Sequence, residues 1–325
     1  MRFLVNILTL VTLIISIQLK SQDINSYNVN AFLDINNKTI EVSQKMKFKN
    51  TSNIDLEEIF LEDWSNSYIN NETKLAKRIS DEYSRSFTFA KKRQRGSTTI
   101  NEIKSNNIKS WRRLEGQSDI IRIELKKAVK INQYISIDLK YTIKLPDSKF
   151  TGYGYDNENF YLKNWIIVFS NINQDKWFKQ SNLNLDDQSL NESRFNLNFS
   201  YEGNYNLNSN LIKKEVNLIN QINTIVLYGS GINNVRLNLI VGDVFRSLQN
   251  ESVEIETDIF KISDVLEADI KFNRVSKFVT NYFDDSDKFK LLIPKTDYES
   301  SPFYGLNQLP RFISPFSDKF LEEIV

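Results

Sequence analysis

From Tyr27 onward the chain alternates apolar and polar residues. The stretches "YNVNAFLDI" and "TIEVSQKMKFKN" each step with a period of two about an "INN" turn, which predicts a β-hairpin with one buried face. A turn at Asn50, Thr51 and Ser52 leads to a further strand at Glu58 to Leu61. The rhythm then changes. Between Asn70 and Arg95, Leu75, Ile79, Tyr83 and Phe87 recur at a spacing of four, which predicts a helix stopped at Gly96. Its basic end, Lys91 to Arg95, reads either as an anion site or as a solvated helix end facing its own dipole, and the second is the simpler assignment.

Strand-like alternation resumes in "TTINEIKS", "IKSWRRLEG", "DIIRIELKKAV" and "QYISIDLKYTIKLP", the last closed by Pro146. The segments "NFYLKNWIIVF" and "RFNLNFSYEGNYNLNSNL" continue the theme. "INTIVLYGSGINNVRLNLIVG" predicts another hairpin, with Gly229 and Gly231 at its turn. Many short strands at intervals near ten residues predict a mainly β fold, an antiparallel β-sandwich or saddle-like stack. Near Asp264 the period lengthens. Leu266, Ile270, Val275, Phe278, Val279 and Phe283 form a broad helical face after a cap at Ser263 or Asp264, and the short strand "KFKLLIP" follows. This switch predicts a β domain over 22–255 and, over 256–325, the incomplete start of an α/β domain.

Composition narrows the chemistry. The 325 residues carry 42 basic and 41 acidic side chains spread along the chain, so no nucleic-acid footprint is present. There is no Cys and no His, which removes the thiol nucleophile, the commonest general base and the commonest catalytic zinc ligands. At the N-terminus, Arg2 followed by an apolar run from Phe3 to Ile17 predicts a signal peptide over 1–21, cleaved after Ser21. The alternative is an uncleaved anchor, but the run is shorter than the roughly 20 residues a span needs. The expected location is the periplasm or cell envelope, or outside the cell, with no transmembrane span once the signal is removed.

The order of these pieces resembles the N-terminal part of the M1 family of zinc metallopeptidases, the aminopeptidase N and leukotriene-hydrolase-like enzymes, and within it the exported Bacteroidetes-type members. The opening hairpin with its Asn-Thr-Ser turn and the strand pair ending in Leu-Pro are similar to the family's. So are "FTGYGYDNENFYLKNWIIVF" and the segment closing in "NYFDDSDKFKLLIP". The resemblance implies a β domain leading into a thermolysin-like α/β domain. It also implies zinc as the cofactor of the complete family domain, peptide substrates and removal of N-terminal residues. The family's zinc is held by His-Glu-x-x-His and a second Glu. This chain has no His, so no catalytic or metal-binding residue is assigned to it, and it is expected to be inactive alone, a fragment ending ahead of the zinc motif.

By position, the family's amine-binding loop corresponds to Gly152, Tyr153, Gly154, Asn164 and Trp165. Lys163 and Asn164 stand where the family uses Gln or Glu, and a lysine repels an ammonium group. The structural alternative is a tight turn at Gly152 to Gly154 and a core aromatic at Trp165. Three acidic pairs, Asp186–Asp187, Asp284–Asp285 and Glu322–Glu323, read as solvated surface, because adjacent residues point apart. Six Asn-x-Ser/Thr sequons, at Asn37, Asn50, Asn71, Asn191, Asn198 and Asn250, carry no meaning in a bacterial chain. Two competing readings stay open: a non-catalytic exported binding protein on a peptidase-derived scaffold, and a family member whose metal site has degenerated.

Overall fold

The computed structural model describes residues 25–81, 85–184, 191–242, 245–250, 253–258, 269–277 and 289–293. The signal segment, Tyr83, the cap at Ser263 or Asp264, Leu266, Phe278, Val279, Phe283, the three acidic pairs and the C-terminal stretch from Ser301 lie outside the described residues.

In chain order the strands are β1 (Asn25–Asp34), β2 (Thr39–Lys49), β3 (Leu56–Glu62), β4 (Ser97–Lys104), β5 (Ile108–Leu114), β6 (Gln117–Val129), β7 (Tyr134–Lys144), β8 (Gly154–Asp156), β9 (Asn159–Lys163) and β10 (Val168–Phe169). They continue as β11 (Asn171–Asn173), β12 (Lys176–Phe178), β13 (Ser193–Glu202), β14 (Asn206–Ser209), β15 (Ile212–Ile219), β16 (Ile222–Ile232), β17 (Arg236–Ile240), β18 (Arg246–Gln249), β19 (Val253–Thr257) and β20 (Phe289–Ile293). Helix α1 is Lys74–Asp81, and a second helix, α2, covers residues 269–277. The protein is therefore mainly β, with several antiparallel sheets.

The predicted opening hairpin is β1–β2. Its turn closes where Asp34 accepts hydrogen bonds from the Asn37 backbone N–H (2.9 Å) and side-chain amide (2.6 Å). The pair belongs to a seven-stranded sheet ordered β15-β16-β13-β1-β2-β7-β4, antiparallel throughout except for β1 beside β13. One face is dry. Tyr27, Val29, Ala31 and Leu33 of β1 alternate with solvent-facing Asn28, Asn30 and Phe32, and β2, β7 and β13 alternate in the same way. The dry face shares one continuous core with Ile59 and Leu61 of β3, Ile121 and Ile123 of β6, and Phe160 and Leu162 of β9. Strand β3 lies in a four-stranded sheet, β10-β3-β6-β5, and β9 in another, β14-β17-β9-β8.

Polar atoms pin the seven-stranded sheet to the segment after β9. Gln44, on the dry face of β2, donates to the Ile167 carbonyl (2.6 Å) and accepts from the Tyr141 hydroxyl (2.7 Å), while the Ile167 N–H donates back to Tyr141 (3.2 Å). The Tyr27 hydroxyl accepts from the Phe169 N–H at 3.1 Å. Burial raises both tyrosine hydroxyls well above their ordinary range, so they stay protonated. The Asn50 side chain stitches the Asn-Thr-Ser turn to β6, donating to the carbonyls of Ile54 and Val129 and accepting from the Ser52 N–H.

Three sequence expectations are corrected. Among the described residues the helix predicted over Asn70–Arg95 is Lys74–Asp81, capped where Thr73 accepts from the Ala76 N–H at 3.2 Å. Phe87 is fully buried, but in a turn, not on a helix. The Arg95 guanidinium holds that turn by donating to the Phe87 and Ala90 carbonyls and to Asn71. Gly96 is not a helix stop; a Cβ there would stand 2.8 Å from Pro146 and 2.9 Å from the Lys144 carbonyl. Second, the hairpin predicted around Gly229 and Gly231 does not form. Strand β16 pairs with β13 and β15, whereas β17 pairs with β9 and β14, so the chain crosses between sheets there. Strand β15, with no clean alternation and no buried residue, is instead the hairpin partner of β16 through Asn220 and Gln221, both at positive φ. Third, Ile270 of α2 is 64% exposed, and Phe272 takes its place beside buried Val275.

After β17 the chain forms a three-stranded sheet, β18-β19-β20, in which β19 and β20 are parallel with α2 between them in sequence. It meets the outer side of β9 and β17 through a small cluster of Tyr161, Ile240, Phe245 and Leu292.

Candidate functional site

The five residues singled out by sequence lie between the end of β7 and the start of β10. A 3-10 turn at Ser148–Phe150 is capped by Asp147 and closed by the Gly152 N–H donating to the Ser148 carbonyl at 2.7 Å. Gly152 has φ 74° and Gly154 has φ 122°. At Gly154 any Cβ would sit 1.9 Å from the Pro146 carbonyl oxygen, so the turn admits no side chain. Asn164, at φ 50°, ends β9 and redirects the chain.

These turns bring Tyr153 and Asn164 to one narrow crevice with about 20 Å³ of free space, together with Trp64, Tyr68, Lys163 and Arg236. Lys163 and Arg236 stand directly opposite each other on β9 and β17. Tyr153 is buried, its hydroxyl 2.8 Å from Ser65 Oγ and its ring 5.3 Å from Tyr68. Burial drives its hydroxyl far above the ordinary tyrosine range, so it serves as a neutral hydrogen-bonding group. Trp165 is a core residue, packed edge-on against Phe199 at 5.8 Å. The Trp165 Nε1 and Asn164 Oδ1 atoms are enclosed without a hydrogen-bond partner. Gly152 lines another, smaller crevice with Arg236 and Asn238, and Gly154 packs against Pro146. The structure thus gathers Tyr153 and Asn164, sets Trp165 beside Asn164 and Trp64 in an adjoining crevice, and disperses Gly152 and Gly154.

Sequence reasoning did not find the charged network beneath this crevice. Asp63 is fully buried, accepting from Arg113 (2.7 Å) and from the Thr98 hydroxyl (2.8 Å). Asp119 accepts from the Ser181 hydroxyl (3.0 Å) and the Asn182 N–H (2.8 Å). Desolvation raises both carboxyls above the usual range, against the pull of Arg113 on Asp63 and of the Asn182 N–H on Asp119. Their hydrogen bonds all run to structural neighbours, so they order the crevice floor and do not face its mouth. The one usable signal was the pair Glu62–Asp63 closing an apolar strand.

The donor set does not fit a catalytic zinc. Such a site needs three His, Cys or carboxylate ligands in one place; the chain has no His or Cys, and no group of three gathers among the described residues. Among the described residues no helix is long and apolar enough to cross a membrane. The chain matches no protein-family model and no curated protein.

Proposed function

We propose that this chain is the β-rich recognition region of an exported M1-type metallopeptidase scaffold. On this reading it has an antiparallel sandwich or saddle over 22–255 that leads into the start of an α/β domain, and it works in the cell envelope on peptides. The family reaction, zinc-dependent removal of N-terminal residues, needs ligands this chain does not carry, so its own part is binding. The observation that carries the reading is the segment from Gly152 to Trp165: its Gly-Tyr-Gly turn and Asn164 bend lead to a crevice lined by hydroxyls, amides and two cations. Support for the α/β start comes from the parallel β19–α2–β20 unit.

The test is binding and turnover on the same sample. The purified chain, with zinc added, is expected to leave aminoacyl-anilides uncleaved; zinc-dependent cleavage would overturn the non-catalytic assignment. Ligand-observed NMR with short peptides is expected to show binding that Asn164→Ala weakens, with N-acetylated peptides binding at least as well as free-amine ones because Lys163 repels an ammonium. Absence of any peptide binding at millimolar concentration sinks the recognition role. The second reading, a non-catalytic binding protein on a peptidase-derived scaffold, is favoured by the His-free donor set and predicts the same binding with no partner needed for function.

A further inference from the structure

The solvent face of the seven-stranded sheet is hollowed into a cleft of about 560 Å³. Its floor is built in rows across the strands. One row runs Asn198, Asn30, Ser43, Lys140, through direct pairings of β13, β1, β2 and β7. At about 4.8 Å per strand, that row spans roughly 14 Å. The next row places Phe32 between Ser200 and Glu41.

Asparagine is disfavoured in strands. Here Asn28 faces Asn196 and Asn30 faces Asn198 on neighbouring strands, and each pair is hydrogen-bonded, Asn196 Nδ2 to Asn28 Oδ1 at 2.9 Å and Asn198 Nδ2 to Asn30 Oδ1 at 2.8 Å. The abundance of Asn in this chain explains the residue type but not the register. A side-chain amide has two donor hydrogens and two acceptor lone pairs, and one bond per pair leaves most of them pointing outward. The amides hold each other in place, so a ligand meets them already ordered. The two charged residues lining the cleft, Glu41 on β2 and Lys140 on β7, are of opposite sign, so the cleft carries no net charge.

We propose that this face binds a neutral oligosaccharide. Vicinal hydroxyls both donate and accept, matching paired amides and the Ser43 and Ser200 hydroxyls. Phe32 and Ile222 offer apolar surface to the C–H face of a sugar ring. A polyanion finds a single lysine, Lys140, which is paired with Glu102 and offset by Glu41, and an extended peptide finds no free strand edge there. This site is on the opposite side of the sheet from the core and does not depend on the peptidase reading.

The test uses the full chain and a panel of neutral tetra- to hexasaccharides of the β-1,4-glucan, α-1,4-glucan and chitin types. At least one is expected to shift the side-chain amide NMR signals of Asn28, Asn30, Asn196 and Asn198. The double variant N30A/N198A is expected to bind it at least about tenfold more weakly by calorimetry, the loss of a little over 1 kcal/mol of contact. Ser136→Ala, on the same face but away from the cleft, leaves binding unchanged. If the double variant does not fold, Asn198→Ser carries the same expectation. No shift with any member at millimolar concentration, binding indifferent to the cleft variants, or preference for an acidic peptide or charged glycan overturns the proposal.

Discussion

The seven-stranded sheet and the four-stranded sheet β10-β3-β6-β5 solve opposite problems. The first keeps water on one face, so its apolar and polar residues alternate and its charges stay outside. The second ends under a 3-10 turn at Trp64–Tyr68 and the loop at 179–184, and there carboxylates, amides and hydroxyls go into the interior with their partners. Trp64, Ser65, Asn66, Ser67 and Tyr68 are all buried, although three of the five are polar. One region is stabilised by area removed from water, whereas the other must have every buried polar group matched.

The sharpest way to break that contrast is Arg113→Met. It leaves the Asp63 charge buried with Thr98 as its remaining side-chain donor, and the expected loss is about 3–5 kcal/mol at neutral pH. The pH dependence has a definite sign. Burial already raises Asp63, and losing the guanidinium raises it further, so the folded state takes up a proton at higher pH than the unfolded chain does. The stability brought by that proton is fully present below the ordinary carboxylate value and is lost as pH rises through the raised one. Denaturant unfolding of the variant and parent at pH 7 and pH 5 checks this: the gap should narrow at pH 5. An equal gap at both would place the Asp63 charge in water.

The same contrast sets what was legible in the sequence. Strands β1, β2, β6, β7 and β13 are readable because a wet face imposes a period of two. Strand β15 is not, because neither of its faces is covered and Ile212, Val216, Leu218 and Ile219 all stay exposed. Phe87 falls at helical spacing by accident, held in its turn by a guanidinium that no periodicity reveals. The turn signal at Gly229 and Gly231 is the same for a hairpin as for a crossing between sheets. At the site, Gly152 and Gly154 are legible as turns. The Asp63 network is not, since a charged residue on a strand reads as solvated and its partners lie 50 and 35 residues away.

Gln44 tests the contrast from the other side, being a polar residue on the dry face of the regular sheet. Gln44→Leu keeps the volume close but leaves the Ile167 carbonyl and the Tyr141 hydroxyl each short of one partner. The expected cost is about 1–3 kcal/mol. Urea midpoints give the comparison. A neutral or stabilised Gln44→Leu would mean that the seven-stranded sheet relies on area alone, and the distinction between the two regions would then be sharper than drawn above.

The smallest effect expected is at the edge of the polar region, where α1 begins. Thr73 Oγ1 is the acceptor for the Ala76 N–H, and one turn later Leu75, Ala76 and Ile79 are buried. Thr73→Ala removes the cap without touching those contacts, so the loss should be about 1 kcal/mol, and Thr73→Ser should recover most of it. Eight residues are too few for a helix to persist in water on its own. The helix is therefore held by its buried stripe, and the cap fixes only where it starts. Native-state hydrogen exchange separates the two contributions: in Thr73→Ala the N-terminal amides of α1 should exchange faster while those near Ile79 keep their protection. Loss of protection along the whole helix would make the cap, and not the packing, the source of its stability.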